Sequence, residues 1–222
     1  MVNVLDKVQP KNKIQLKQLV DYAFKHNIYD LNFIDISKIT DMSELFGNVE
    51  HDFDVSSWDV SNVIDISFMF YGCHNFNCDL SKWDVSNVTN MSYMFSNCYK
   101  LEGKGLEHWD VSNVTDMAGM FVGCENFNCD LSYWYVSNVT DMDNMFYNCK
   151  NFNCDLSSWD MSKALRINEM FYGCKNFEGK GLENWNLEKT LFYYNIFAGC
   201  DKVKLPSWYK AFLKRCNLEF FK

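Results

Sequence analysis

The sequence predicts an α/β repeat solenoid of about seven coils of ~25 residues, each with one short parallel strand and one short helical segment, and a helical cap at either end. Three ladders carry this expectation. The tryptophans Trp58, Trp83, Trp109, Trp134, Trp159 and Trp185 recur at spacings of 25, 26, 25, 25 and 26 residues. Phenylalanines keep the same beat at Phe46, Phe70, Phe95, Phe121, Phe146, Phe171 and Phe197. Cysteines do so at Cys73, Cys98, Cys124, Cys149, Cys174 and Cys200. A single coil of this size cannot bury its apolar face. Stacking coils builds a continuous core in which equivalent side chains form ladders.

The elements follow in chain order. Residues 1–29 form an N-terminal capping region, 30–200 the repeat and 201–222 a C-terminal cap. Within the first, Lys13 to His26 carries Ile14, Leu16, Leu19, Val20, Ala23 and Phe24 at helical spacing, suited to covering the first coil. A degenerate first coil, FIDISKITDMSELF, starts at Phe33 with Ile34 in the tryptophan position. Inside a full coil, Leu80, Trp83 and Val85 give the L-x-x-W-x-V spacing of a leucine-rich-repeat-like strand. Strand alternation turns Trp83 and Val85 inward, and Lys82 and Asp84 outward. Met91, Met94, Phe95 and Cys98 then stand at i, i+3, i+4, i+7, the pattern of two helical turns with Asn90 as N-cap. The insertions Gly103 to Gly105 and Gly179 to Gly181 read as looser turns that absorb one extra residue. Beyond Cys200, Leu205, Trp208, Tyr209, Phe212, Leu213, Leu218, Phe220 and Phe221 supply a second apolar cap, with Pro206 and Ser207 opening a helix.

The coil W-D-V-S-N-V-T-D-M-x-x-M-F-x-x-C-x-x-F-N-x-D-L-S starts in near-full copies at Trp58, Trp83, Trp109, Trp134 and Trp159, and in a degenerate copy at Trp185. It resembles the BspA-like leucine-rich repeat, in the branch first catalogued as a mycoplasma domain of unknown function. The resemblance implies a repeat scaffold and, from many relatives at bacterial surfaces, adhesion or protein binding. This sequence shows no signal-peptide pattern and no lipobox-like cysteine near its start, so the expectation is an intracellular, cytoplasmic protein.

Composition narrows the classes. Apolar residues make up 48% and aromatics 17%, enough for a packed core rather than global disorder. A net charge of −8 with no long basic run argues against nucleic acid as partner and against a polybasic membrane patch. No stretch approaches the ~18 consecutive apolar residues of a membrane span.

Several motifs invite chemistry. Cys73/Cys78, Cys124/Cys129 and Cys149/Cys154 each form C-x₄-C. The first member of each pair shares a ladder position with Cys98, Cys174 and Cys200, which have no such partner, so buried hydrophobe is the favoured reading. A within-coil disulfide and a metal site joining two pairs are the alternatives. The Asn62, Asn87, Asn113 and Asn138 row suits the satisfying of turn backbone one coil away. The row Asp59, Asp84, Asp110 and Asp160 reads as a solvated polar face. The histidines His26, His51, His74 and His108 share no repeat position, and no catalytic constellation, metal site or cofactor motif emerges.

The expected function is therefore a non-enzymatic protein-binding repeat module using an acidic and aromatic strand face. The alternative is a glycan-binding or adhesive module. Copies differ most beside the tryptophans. Lys82, Asp84, His108, Asp110, Tyr133 and Tyr135 are the candidate binding residues, centred on the aromatic break at Tyr133 and Tyr135. The sequence names no protein partner and no oligomeric state.

Overall fold

A computed structural model describes residues 7–215. The sequence-based expectations for Cys216, Leu218, Phe220, Phe221 and residues 1–6 lie outside it. The described chain winds as a stack of coils whose rungs are joined by isolated parallel bridges. These run Asp41, Asp65, Asn90, Asp116, Asp141, Arg166, Phe192, so that seven rungs are in register.

The expected fold class is corrected by the backbone. Among the described residues there are two α-helices, α1 (Lys13–Lys25) and α2 (Ser207–Arg215), two 3₁₀ turns, and no strand beyond isolated bridges. The coil is not a strand plus a helix, and the α/β leucine-rich-repeat-like description fails. It is a succession of β-turns. In one coil Trp83 N–H donates to Leu80 C=O (3.0 Å), Val88 to Val85 (2.9 Å), Met94 to Met91 (3.2 Å), Ser96 to Tyr93 (3.1 Å) and Cys98 to Phe95 (2.9 Å). Tyr93 (φ 54°) and Asn97 (φ 62°) are left-handed, which no right-handed helix tolerates. Asn90 caps no helix: its Oδ1 accepts the Ser92 N–H at 3.0 Å and closes a turn.

The apolar spacing misled for a physical reason. A β-turn brings residues i and i+3 together on one side, as a helix does. An i, i+3 pattern therefore reports turns and helical segments alike. What separates them is where the remaining N–H groups go. Met91, Tyr93, Phe95 and Asn97 donate out of the coil, to the carbonyls of Asp116, Ala118, Met120 and Val122 (2.9, 2.7, 2.9 and 2.6 Å). The intervening carbonyls of Asn90, Ser92, Met94 and Ser96 accept from Ile66, Phe68, Phe70 and Gly72 of the coil before. Along these four alternate residues the ladder is one-way, donors facing the C-terminal end of the stack and acceptors the N-terminal end; only the residues just before them, such as Thr89 and Thr115, donate back, to Ile64 and Thr89 (2.9 Å each), and close the isolated bridges. A parallel sheet instead pairs each residue both ways, so no strand forms.

Side chains lock the stack. Rings of successive coils lie nearly parallel, Phe70–Phe95 at 5.4 Å and Phe146–Phe171 at 5.7 Å between centroids. Each tryptophan Nε1–H donates to a carbonyl one coil back, as Trp83 to Val55 and Trp134 to Leu106 (3.0 and 2.8 Å). Each ladder thiol does the same, as Cys98 Sγ to Phe70 C=O (3.1 Å) and Cys149 Sγ to Phe121 C=O (2.9 Å).

The helices lie at the two ends. Asn12 Oδ1 accepts the Gln15 N–H at 3.0 Å and starts α1, which buries Leu16, Val20 and Ala23. Ile14, expected inward, is 70% exposed. Lys17 Nζ donates to the Leu45 carbonyl (3.1 Å), an acceptor on the N-terminal end of the ladder. In α2, Trp208 continues the tryptophan row, its Nε1–H on Leu182 C=O (2.8 Å). The glycine insertions are tight rather than loose: Gly105 (φ 91°) and Gly181 (φ 92°) lead into the 3₁₀ turns Leu106–His108 and Leu182–Asn184. Among the described residues no helix is long and apolar enough to cross a membrane.

Candidate interaction surface

Lys82, His108 and Tyr133 occupy the same place in three consecutive coils. Each sits just before a tryptophan whose N–H closes the turn onto a leucine carbonyl: Trp83 to Leu80, Trp109 to Leu106, Trp134 to Leu131 (3.0, 3.2 and 3.1 Å). The buried indoles anchor the backbone, and the residues on either side face solvent. Asp84, Asp110 and Tyr135 follow the tryptophans and are exposed as well. All six candidate residues thus share one face of the stack. Among the described residues Tyr133 and Tyr135 do not stack on each other or on a further ring, and they stand 73% and 75% exposed.

The carboxylates in this row have a structural task that the sequence did not reveal. Asp59, Asp84, Asp110 and Asp160 each accept the N–H of the serine two residues on, at 3.2, 3.1, 3.0 and 2.9 Å. At Asp84 and Asp160 those hydrogen bonds favour the charged form. The Ser86 bonds hold the Asp84 carboxyl below its usual range, and the Ser162 bonds do so for Asp160. Tyr135 stands in this row without a carboxylate to close the turn. The asparagine row is likewise committed: Asn62, Asn87, Asn113 and Asn138 each donate through Nδ2 to a serine carbonyl one coil back (2.9, 2.7, 2.7 and 2.7 Å).

The thiols are equally engaged. All nine cysteines of the described residues are free. Burial pushes the Cys73 and Cys200 thiols up to about 12. Cys78 and Cys129, both half-buried, and the buried Cys154 form a second row facing Asp54, Glu107 and Asp130 (3.5, 3.7 and 3.7 Å). Burial, with these carboxylates adding to it, raises them to about 11, 12 and 11. Neutral thiols are poor nucleophiles and poor metal ligands. Among the described residues no three His, Cys, Asp or Glu side chains converge as a metal ion requires.

Sequence reasoning missed a polar node at Asp143. This carboxylate is 6% exposed, accepts the Asn168 N–H at 2.7 Å and pairs with the Arg166 guanidinium, which also meets Asp141 at 3.0 Å. Its signal was the basic residue Arg166 in a row that holds Asp or Asn in the five preceding coils.

The repeat that builds this face is also what other sequences share. A family described as Mycoplasma protein of unknown function, DUF285, matches residues 14–105 and 98–208. The chain belongs to the DUF285 family. The two matches overlap at residues 98–105, where the third coil passes into the fourth, and together run from α1 to Trp208, so the DUF285 repeat and the stack of turns coincide. No curated protein matches the chain. No solved structure matches it. In this DUF285 chain the frame positions are the buried Trp, Val, Met, Phe and Cys, and copies differ on the outward side of the turns.

Proposed function

We propose that this DUF285 chain is a non-enzymatic protein-binding module, akin to the BspA-like repeat proteins, that meets its partner through Lys82, Asp84, His108, Asp110, Tyr133 and Tyr135. The observation that carries the reading is Tyr135. Its equivalents Asp59, Asp84, Asp110 and Asp160 each cap their own turn, and position 135 gives up that cap for a ring that is 75% exposed. Such a tyrosine, once covered by a partner, buries much area at small entropic cost. Support for a binding rather than a catalytic role comes from the committed chemistry: thiols raised by burial and carboxylates spent on turns leave no base beside a nucleophile among the described residues.

The test is a Tyr133→Ala, Tyr135→Asp double variant. The aspartate restores the turn cap, so the melting temperature is expected to hold or rise. Proteins retained by the immobilised parent chain are expected to be lost from the variant. Retention by both chains refutes this face as the site. The same two rings also suit stacking on sugars; binding on a carbohydrate array that the double variant abolishes, with no protein retained, replaces this reading by the glycan-binding one.

A further inference from the structure

Among the described residues the one-way ladder leaves its donors unmet at one end. In every earlier coil four alternate N–H groups donate forward; in the sixth, Ile167, Glu169, Phe171 and Gly173 reach the carbonyls of Phe192, Tyr194, Ile196 and Ala198 (2.8, 2.8, 3.0 and 2.8 Å). The equivalent groups of the seventh coil belong to Tyr193, Asn195, Phe197 and Gly199. The turn geometry that aims them is intact, with Asn195 at φ 51° and Gly199 at φ 75°, against 53° and 71° for Glu169 and Gly173. Among the described residues none of the four has a hydrogen-bond acceptor. At the opposite end, by contrast, α1 supplies Lys17 to a free carbonyl.

α2 packs on part of this face, Phe212 lying 4.5 Å from Tyr193 and Tyr209 5.0 Å from Phe197 between ring centroids, and leaves a groove beside the contact. Asn195, Phe197, Ala198 and Gly199 form one side of a groove of about 1120 Å³, and Tyr209, Phe212 and Leu213 of α2 the other. Lys210 and Lys214 stand at its edge. From Cys200 to Arg215 the chain carries five basic residues, Lys202, Lys204, Lys210, Lys214 and Arg215, and one acidic residue, Asp201. This end is basic in a chain whose net charge is −8.

We infer that the C-terminal face is a docking groove for an extended acidic segment of another protein, which lies across the last coil as an eighth rung. The ladder dictates the backbone: the guest must present carbonyl oxygens at alternate residues, as an added strand does. The charge dictates the side chains, since Lys210 and Lys214 favour carboxylates along the guest. A two-fold pairing of this face with itself is disfavoured, because the four alternate N–H groups of one copy would meet the N–H groups of the other. Head-to-tail stacking on a second copy meets α1, which covers the acceptor end. This surface is separate from the tyrosine row.

The test uses the 222-residue chain. A fluorescein-labelled octapeptide alternating Glu and Val is titrated by anisotropy, with the Lys–Val octapeptide as control. The acidic peptide is expected to bind, and a Lys210→Glu, Lys214→Glu variant to weaken it by about tenfold or more. Both lysines are exposed, so this variant keeps the fold. Amide hydrogen exchange at residues 193, 195, 197 and 199 is expected to be fast in the free chain and slowed by the peptide. Equal binding of both peptides, no binding of the acidic one, or insensitivity to the double variant overturns the proposal. So does protection of these amides in the free chain, which would mean that residues 216–222 or a second copy already fill the groove. The Tyr133→Ala, Tyr135→Asp chain is expected to bind the peptide normally, which separates this site from the tyrosine face.

Discussion

Asn97 lies over Gly123: a Cβ on that glycine would stand 2.7 Å from Asn97 Oδ1. The relation repeats along the stack. Asn48, Gly72, Asn97, Gly123, Asn148 and Gly173 occupy one position in successive coils, all at φ between 59° and 71°. Glycine and asparagine are the residues that take the left-handed region most readily. Left-handedness alone permits either at every rung. The alternation comes from space, because each asparagine amide fills the room that a side chain on the next coil would need.

Gly123→Ala is expected to destabilise the chain by about 1–3 kcal/mol, the usual cost of a non-glycine residue held in this region. Adding Asn97→Gly is expected to recover part of the loss, since it removes the collision and leaves the backbone strain. Urea midpoints of the two variants and the parent measure this. A double variant no more stable than Gly123→Ala would assign the whole cost to φ.

The ladders and their period were legible because buried Trp, Phe and Cys repeat whenever coils stack in register. The architecture within a coil was not. Met91, Met94, Phe95 and Cys98 obey a helical pattern, yet Tyr93 and Asn97 are left-handed, and hydrophobic spacing carries no information on the sign of φ. The clue was the Asn/Gly alternation at 97 and 123, which looks like neutral exchange until the rungs are superposed. For the candidate surface, the sequence marked the outward rows through their variation. It was silent on the turn-capping work of Asp84 and Asp110, which depends on a serine N–H two residues away, and on the donors at Asn195 and Phe197, unmet among the described residues, which need the hydrogen-bond direction.

Phe95→Ala and Trp109→Ala are each expected to cost about 3–5 kcal/mol, as large core aromatics do. The Phe95 ring lies between Phe70 at 5.4 Å and Phe121 at 5.8 Å, so its loss opens the core to both neighbouring coils. Trp109 stacks on Trp83 at 6.2 Å and donates to the Leu80 carbonyl at 3.3 Å, so its removal loses a ring contact and one of the two hydrogen bonds that this carbonyl accepts. An unchanged denaturant midpoint for either variant would contradict its place in the core.

Alkaline pH is expected to destabilise the chain through its thiols. Burial raises Cys73, Cys129 and Cys200 to about 12 from an ordinary value of 9.0. Between those values the unfolded chain releases protons that the folded chain keeps. The thiol contribution is therefore complete below pH 9 and is lost as pH rises through about 12. The urea midpoint is expected to fall from pH 9 upward, and less steeply in a Cys73→Ala variant. Ellman's reagent at pH 8 is expected to label the native thiols slowly and the unfolded thiols at once; fast native labelling would refute burial as the cause.

Two glycines are expected to respond to alanine with opposite signs. Gly105 has φ 91°, and a Cβ there would stand 2.8 Å from the Leu80 carbonyl carbon and closer still to the Ser81 backbone. Neither neighbour is a flexible side chain. Leu80 N–H donates to the Lys104 carbonyl (3.2 Å) and Lys104 Nζ pairs with Asp79 (2.6 Å), so the two coils cannot separate there without breaking both contacts. Gly105→Ala thus adds backbone collision to left-handed strain, and a loss of at least about 1–3 kcal/mol is expected. Gly47 is exposed, its φ lies outside the left-handed region, and a Cβ there would meet only the Glu44 carbonyl oxygen at 3.9 Å. Gly47→Ala keeps the native contacts and restricts the unfolded chain, which is expected to stabilise by about 0.4–1 kcal/mol. Urea denaturation of the two single variants decides the matter: equal shifts of the same sign would show that the insertion at Gly103 to Gly105 is the looser turn its sequence suggests.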